Sequence, residues 1–515
     1  MAAAPTFPGG APANDRTPTR VLLLTEGTYP FRWGGVSTWC HALTHELSDV
    51  SFSLLAIADG PRLERRFELA PNVERFRAVS VWGVRDSWED RDDLDDPGLL
   101  RRRARATTDR ALQAGFVPPF RRFVSALLGV DVESRELALT LHELHRFFLT
   151  HDFDAALRSR PAWDCFVDEV QARFDGLAAL HGYHGAAFSL GDVTAAFQWL
   201  HHWLFPLARP LPEVDVVHAT MAGICTVVGA VAKVEHGAGF LLSEHGIYLR
   251  ESYLAQHHAH DSLFRKLVKL RFARLATTLG YELADRIAPC CDYNRRWELR
   301  TGARADRVHT AYYGLDPVRY AIAPPDETRA PAIVWAGRID PLKDVETLLR
   351  ASASVLAAKP EARFRLFGSA PSGEEDYFAR CVALHRQLGL GGAVSFEGFA
   401  SGTTRAFADA DVVVLSSISE GFPYSTLEAM FCGRAVVATD VGGVAEQLGR
   451  AGLLVRPRDP GALADAILRL LADRGLRVRL GRAARARAET QFTIARFRDA
   501  HARTYEALVT DGAAA

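Results

Sequence analysis

The sequence predicts an α/β protein built from two Rossmann-like, doubly wound parallel-sheet domains, the first carrying a helical insertion. Three observations predict it. Near the start, the apolar run Val21–Thr25 ends at the loop Glu26–Trp33, and Gly34 and Gly35 open a helical pattern over Val36–Leu47. Strand, glycine-rich loop and helix form the first unit of a doubly wound sheet. In the second half, short apolar runs alternate with helical segments. Between them, from about Trp82 to His202, strings such as RRRARATTDRAL and LHELHRFFLTH carry helical periodicity and few strand signals.

Residues 1–19 are rich in Ala, Pro, Gly and Thr with no apolar h-region, and read as a disordered tail rather than a signal peptide. The first domain is expected over 20–318, with Val50–Ala58 as its second strand and the insertion over about 83–205. Alternation resumes with Val214–His218, Gly239–Ser243 and Arg286–Pro289. The Pro- and charge-rich stretch over 319–331 reads as a linker. The second domain, 332–490, takes its strands from Ile333–Ala336, Arg363–Phe367, Val394–Glu397, Val412–Leu415 and Ala435–Thr439. A last helix is expected within 491–509.

Composition narrows the classes. The hydrophobic fraction is 48% and the charged fraction 24%, ordinary values for a globular enzyme. A net charge of -1 supplies no global field for nucleic acid or an anionic membrane. Seven scattered Cys, with Cys290 and Cys291 adjacent and no C-x-x-C pair, argue against a disulfide framework or a structural zinc site. The longest apolar stretch, Val216–Ala232, is short and interrupted by His218, which suits a strand and buried helix better than a membrane span. A cytoplasmic protein is expected.

The most informative stretch is SSISEGFPYSTLEAMFCG, Ser416 to Gly433. It places Glu420 and Glu428 around a turn that leads from the strand Val412–Leu415 into a helix. Ser425 followed by Glu428 is a capping-box signature, which predicts a helix start at Ser425. The preceding loop, Glu420–Tyr424, then lies where unpaired N–H groups and the helix dipole favour an anion. A carboxylate repels an anion, so Glu420 suits neutral hydroxyls, and the combination suits a sugar joined to a diphosphate. The loop alone leaves a second reading open, with Glu428 only a capping partner and Glu420 only a solvated charge.

E-G-F-P-x-S-x-x-E-A-M, preceded by GRIDPLK and followed by AVVATDVGG, resembles the signature of the family 4 retaining glycosyltransferases of the GT-B fold. The matching positions run in order from Ile333 to Val455. The resemblance implies two domains facing a cleft, a nucleoside-diphosphate sugar on the second, and a terminal helix crossing back to the first. It implies that Glu420 contacts donor sugar hydroxyls, that Glu428 contacts the ribose, and that Arg338 and Lys343 neutralise the diphosphate. Gly337, Phe399, Gly421, Phe422, Pro423, Tyr424 and Ser425 complete the expected donor site on that domain. Leaving-group charge grows on the distal phosphate during transfer, and fixed cations aimed there favour the transition state over the ground state. No metal or other cofactor is expected, because Arg338, Lys343 and the Glu420–Ser425 loop take a cation's place.

In the first half, EGTYPFRWGGVSTW, Asp215–Ala219 and SEHGIYLRE resemble the PelF branch of the same family, linked to bacterial exopolysaccharide synthesis. The insertion resembles that branch by position only. Gly34 and Gly35 suit a close approach to a phosphate, or a plain tight turn. His245 falls where the family places a histidine near the transferred sugar; taken alone it reads equally as a structural His at a strand end. His218, Arg250 and Glu251 are assigned to the acceptor side, with Arg250 and Glu251 open to a reading as a weak surface ion pair. The group His257, His258 and His260 lacks metal-ligand spacing, apart from His257 with His260 or Asp261.

The expected function is transfer of a hexosyl unit from a UDP-linked sugar, UDP-glucose or UDP-GlcNAc, to a carbohydrate or lipid-linked hydroxyl. A polysaccharide or glycoconjugate product is implied, with peripheral association with a membrane polysaccharide synthase and no nucleic-acid partner. The competing readings are a sugar-nucleotide epimerase on the same fold, and a non-catalytic sugar-nucleotide-binding subunit. A phosphorylase would need a lysine-held pyridoxal phosphate, and no such lysine motif is present.

Overall fold

The computed structural model describes residues 18–58, 60, 64–81, 97–129, 133–320, 329–399 and 404–513. The expected tail (1–17), the start of the insertion (82–96) and most of the expected linker (321–328) lie outside the described residues.

Among the described residues, twelve strands form two six-stranded sheets with the same winding. The first contains β1 (Thr19–Glu26), β2 (Val50–Ala58), β3 (Val73–Ser80), β4 (Val216–Ala219), β5 (Gly239–Glu244) and β6 (Arg286–Pro289), in the order β3-β2-β1-β4-β5-β6. The second contains β7 (Ala332–Ala336), β8 (Arg363–Phe367), β9 (Val394–Gly398), β10 (Val412–Leu415), β11 (Ala435–Thr439) and β12 (Leu453–Val455), in the order β12-β11-β10-β7-β8-β9. All pairings are parallel. The winding direction reverses between β1 and β4 in one sheet and between β7 and β10 in the other. Loops leaving those strands at their C-terminal ends diverge, which opens the crevice where such sheets bind ligands.

The period-two pattern of β1 decides what covers each face. Leu22 and Leu24 pack into the core of the helical insertion with Phe116, Phe120 and Phe148, whereas Val21 and Leu23 pack on the opposite face with Trp39 and Leu508. The insertion is therefore a second layer on the first sheet and shares its core. Its helices include Val117–Leu128, Ser134–Thr150, Arg160–Leu180 and Leu190–Leu204. Ser189 and Asp192 form a capping box at the start of the last of these.

The final helix, Ile494–Ala513, follows the helix Arg474–Gln491 of the second domain and packs against the first sheet. Its Tyr505 hydroxyl meets His218 Nδ1 at 2.7 Å. Leu508 sits where a Cβ on Gly239 would come within 2.9 Å of it, so the helix rests directly on the start of β5.

Two strands have no counterpart in the sequence reading. β3 is an edge strand of sequence VERFRAVS with half of its residues exposed, so its apolar alternation is weak. β12 is only three residues long. β4 begins at Val216 rather than Val214, and Asp215 just before it also ties down the start of β1, its carboxylate accepting from the Arg20 backbone N–H and guanidinium, each at 2.8 Å.

The first domain also encloses acids. Glu244 is fully buried, accepts from the Tyr248 N–H at 2.8 Å and the Tyr281 hydroxyl at 2.6 Å, and lies against Glu298. Burial raises the Glu244 carboxyl to about 7, and burial with the Glu244 charge pushes Glu298 well above the ordinary range. Glu26, partly buried where it accepts from the Ile224 N–H at the start of the helix Ile224–His236, is likewise raised to about 7 by desolvation. Folding raises these pKa values, so the stability they contribute is fully present below about 4.5 and is lost as pH rises through about 7. The melting temperature should therefore fall across that window, and Glu244→Gln should make the fall shallower. Melting curves at stepped pH check this; an unchanged slope in the variant would remove Glu244 from the effect.

A candidate active site in the interdomain cleft

The chemistry-bearing loops of the second domain leave β7 and β10, the two strands at its winding reversal. After β7, Gly337 leaves room for the Trp335 ring, whose atoms would lie 3.1 Å from a Cβ there. Asp340 then caps the turn Pro341–Lys343, accepting from the Lys343 N–H at 3.1 Å. Asp344, in the left-handed region at φ 45°, caps the next helix, Val345–Ala358, through Thr347. This double turn fixes Arg338 and Lys343 on one short loop.

The loop after β10 is stitched to it. Ser416 Oγ donates to the Lys343 carbonyl at 2.8 Å, and the Ile418 N–H donates to the Leu342 carbonyl at 2.8 Å. Lys343 Nζ lies 2.6 Å from Glu420 Oε1, and Ser417 Oγ donates to the same oxygen at 2.6 Å. Arg338 Nε donates to Asp340 Oδ2 at 2.9 Å while 55% of its side chain stays exposed. One cleft wall thus carries Arg338, Lys343 and Glu420 together.

The following helix spans Tyr424–Phe431, with Pro423 at the N-cap and no side-chain cap hydrogen bond. This corrects the expected helix start at Ser425 and its capping box. Pro423, in an extended conformation, already stands at the boundary, so Ser425 lies inside the first turn and its hydroxyl caps nothing. Tyr424, Ser425 and Glu428 share the helix face that is not buried, while Thr426, Leu427, Ala429 and Met430 fill the core. Phe422 is buried against Tyr312 and Phe492.

From the first domain, Gly34 caps the helix Gly35–Glu46. A Cβ on Gly35 would lie 3.6 Å from the Tyr424 ring, so this helix start faces the start of the helix Tyr424–Phe431. The Tyr424 ring stacks on Tyr313 at 4.7 Å and 16°, and its buried hydroxyl has no hydrogen-bond partner. His245, just after β5, bonds through Nδ1 to the Tyr313 hydroxyl at 2.8 Å and has a buried Nε2 without a partner. Burial, with the neighbouring His501 as the smaller cause, lowers His245 to about 3, which keeps it neutral near pH 7. The His245 carbonyl sits where a Cβ on Gly421 would be, so backbone meets backbone across the cleft. Arg250 also crosses it, donating to Ser419 Oγ at 2.9 Å. Glu251 is raised by desolvation and pulled back by Arg250 and Arg338, so it faces the same cations.

His218 does not reach the cleft. It is fully buried, with Nδ1 on Tyr505 and Nε2 2.8 Å from Ser243 Oγ, and burial lowers its pKa far below the usual range. Its acceptor-side assignment is corrected: both ring nitrogens are used in locking the terminal helix to the sheet. Phe399 is 51% exposed, its ring 5.5 Å from that of Trp33 across the cleft mouth.

Several residues at the site had no signal in the sequence. Tyr313 follows no motif, yet it joins His245 to Tyr424. Glu446 crosses between domains, accepting from the Asp292 N–H at 2.8 Å, the Tyr293 N–H at 3.2 Å and the Tyr312 hydroxyl at 2.5 Å. A cavity of about 350 Å³ opens between Arg250, Tyr293 and Arg296 on one side and Ser419, Glu420 and Asp440 on the other. Among the described residues, no three His, Cys, Asp or Glu side chains come together as a metal site. Among them, no helix is long and apolar enough to cross a membrane.

Comparison with known proteins gives the fold its name. Residues 330–473 match the family model "Glycosyl transferases group 1". The chain is 36% identical over 212 residues to D-inositol 3-phosphate glycosyltransferase 2 of Catenulispora acidiphila, covering 37% of this chain and 48% of that protein. It is 30% identical over 303 residues to the D-inositol 3-phosphate glycosyltransferase of a Nocardioides species, covering 53% and 63%. The chain thus spans about half to two-thirds of the length of these relatives. Among solved structures, Anabaena HepE in complex with UDP and glucose superposes with a TM-score of 0.58 at 17% identity, covering 94% of this chain and 99% of that one. Sucrose-phosphate synthase of Thermosynechococcus elongatus superposes with a TM-score of 0.59 at 18% identity, covering 96% and 100%. The architecture is therefore GT-B: two doubly wound domains with a cleft between them. Residues 19–306, more than half of the chain, match the model "Domain of unknown function (DUF3492)", and the protein belongs to that family.

Proposed function

We propose that the protein is a retaining glycosyltransferase that moves a hexosyl unit from a nucleoside-diphosphate sugar, UDP-linked, to a hydroxyl acceptor. The carrying observation is that Arg338, Lys343 and Glu420 converge at the winding reversal of the second sheet, two cations beside one hydroxyl-directed carboxylate. Glycosyl transfer breaks the bond between the anomeric carbon and the distal phosphate oxygen, and forms a bond from that carbon to the acceptor oxygen. The acceptor proton passes to the departing phosphate. Arg338 supplies a planar fork and Lys343 a point charge for the charge that grows there. Glu428, on the open face of its helix, is aimed at the ribose hydroxyls. His245, neutral and with a free Nε2, serves the transferred sugar. Gly34 and Gly35 present helix N–H groups from the opposite wall.

The match to the group 1 glycosyltransferase model over this same wall supports the reading, and the UDP-bound HepE structures favour UDP. The acceptor is a carbohydrate or lipid-linked hydroxyl entering beside Arg250 and Glu251. A cytoplasmic role in polysaccharide or glycoconjugate synthesis, of the PelF-like kind and beside a membrane synthase, is the pathway the N-terminal motifs favour.

A thermal-shift screen of nucleotide sugars tests the donor, because a ligand that binds only the native state raises apparent stability. Slow UDP release from the selected donor, without acceptor, tests the chemistry. Glu428→Gln should weaken UDP binding in calorimetry, since a carboxylate accepts from two ribose hydroxyls better than an amide. Unchanged UDP affinity would remove the ribose role. The reaction is proposed to need no metal, with Arg338 and Lys343 holding the diphosphate. EDTA-treated enzyme should keep its turnover; activity restored only by Mg²⁺ or Mn²⁺ would refute this.

A further inference from the structure

Lys343 and Glu420 already hold each other in the cleft. Their contact is 2.6 Å, with Glu420 only 9% and Lys343 20% exposed, and Ser417 adds a second donor to the same carboxylate oxygen. A buried carboxylate that loses its counter-charge is costly. A diphosphate placed beside Lys343 competes with Glu420 for one ammonium and sets a second anion next to it. Arg338 poses no such conflict: its guanidinium keeps free N–H groups in the cleft, and its partner Asp340 is held in place by the Lys343 backbone.

The two ligands of the proposed reaction differ at this point. A nucleotide sugar brings hydroxyl groups that donate to Glu420 as Lys343 turns toward phosphate. The bare nucleoside diphosphate brings the charge without those donors. We infer that Glu420 is a specificity-determining residue that disfavours the sugarless nucleotide, by claiming Lys343 until a sugar ring supplies replacement donors. Built on the proposed donor reading, this makes the diphosphate product easier to release than the donor from which it came.

Calorimetry with UDP, UDP-glucose and inorganic pyrophosphate on the wild type and Glu420→Gln tests the inference. The variant should bind UDP and pyrophosphate about tenfold more tightly, as expected for removing one charged competitor for an ammonium. It should bind UDP-glucose no more tightly than the wild type, so the preference for the sugar-bearing ligand collapses. In a Lys343→Gln background the same substitution should give a clearly smaller gain, because only the direct repulsion is then relieved, and the difference measures the competition for Lys343. Glu420→Ala provides a second variant with the same expected sign, and melting curves confirm that each is folded. A folded variant whose UDP affinity is unchanged or weaker overturns the inference and leaves the donor reading intact. A wild type that binds none of the three ligands overturns both.

Discussion

Alanine at Lys343 or Arg338 should reduce turnover about 10²–10³-fold, the equivalent of about 2.7–4 kcal/mol of barrier for one preorganised electrostatic group. Both side chains stand on the loop after β7, held by Asp340 and by the bonds from Ser416 and Ile418. Neither side chain builds the core, so the fold should survive. Lys343→Ala has an added consequence, because it leaves Glu420 buried without its cation. Arg338→Ala likewise leaves the buried Asp340 without its cation, holding only the Lys343 N–H, so some loss of stability should accompany both variants. Initial rates of UDP formation and melting curves on both variants check this. Near-wild-type turnover in both would remove the diphosphate assignment.

Gly421→Ala should be comparably damaging for a different reason. A Cβ there would occupy the position of the His245 carbonyl, on the other domain, and would also lie 3.3 Å from Cys290 Sγ. Backbone cannot yield as a flexible side chain does, so the added methyl must push the cleft walls apart. A displacement of about 1 Å in a reacting geometry costs on the order of 10²-fold. Turnover should therefore fall at least that far, while each domain keeps its own core. Kinetics with small-angle scattering checks it: the expected result is a more open particle with low turnover, and wild-type kinetics would show that His245 and Gly421 need not meet.

Much of this structure is written locally. The alternation of strands and helices follows from apolar runs placed between helical segments, and the parallel pairing of β1, β7 and β10 buries both their faces. The candidate wall was legible for the same reason: Arg338, Lys343, Glu420 and Glu428 sit within short motifs next to strand ends, and a strand end at a winding reversal is where such sheets open. The insertion was readable as helical from its periodicity, since amphipathic spacing is a property of neighbouring residues.

What the sequence hid depends on contacts between distant residues. Ser425 and Glu428 have capping-box spacing, but Pro423 takes the N-cap and leaves that spacing without a cap to form. His218 and His245 both stand at the ends of apolar strands and look alike in sequence. The terminal helix, 287 residues from His218, buries one through Tyr505, while Tyr313 and Tyr424 keep the other at the cleft. By itself, the sequence determined which elements form and which residues lie at their ends, because backbone propensity and apolar period act over a few neighbours. Packing alone settles which of those ends meet, within one cleft wall as with Lys343 against Glu420, or across the cleft as with Gly421 against His245 and Glu446 against the helix Asp292–Arg300. Those pairings are set by how two sheets and a returning helix pack, and no local pattern encodes them.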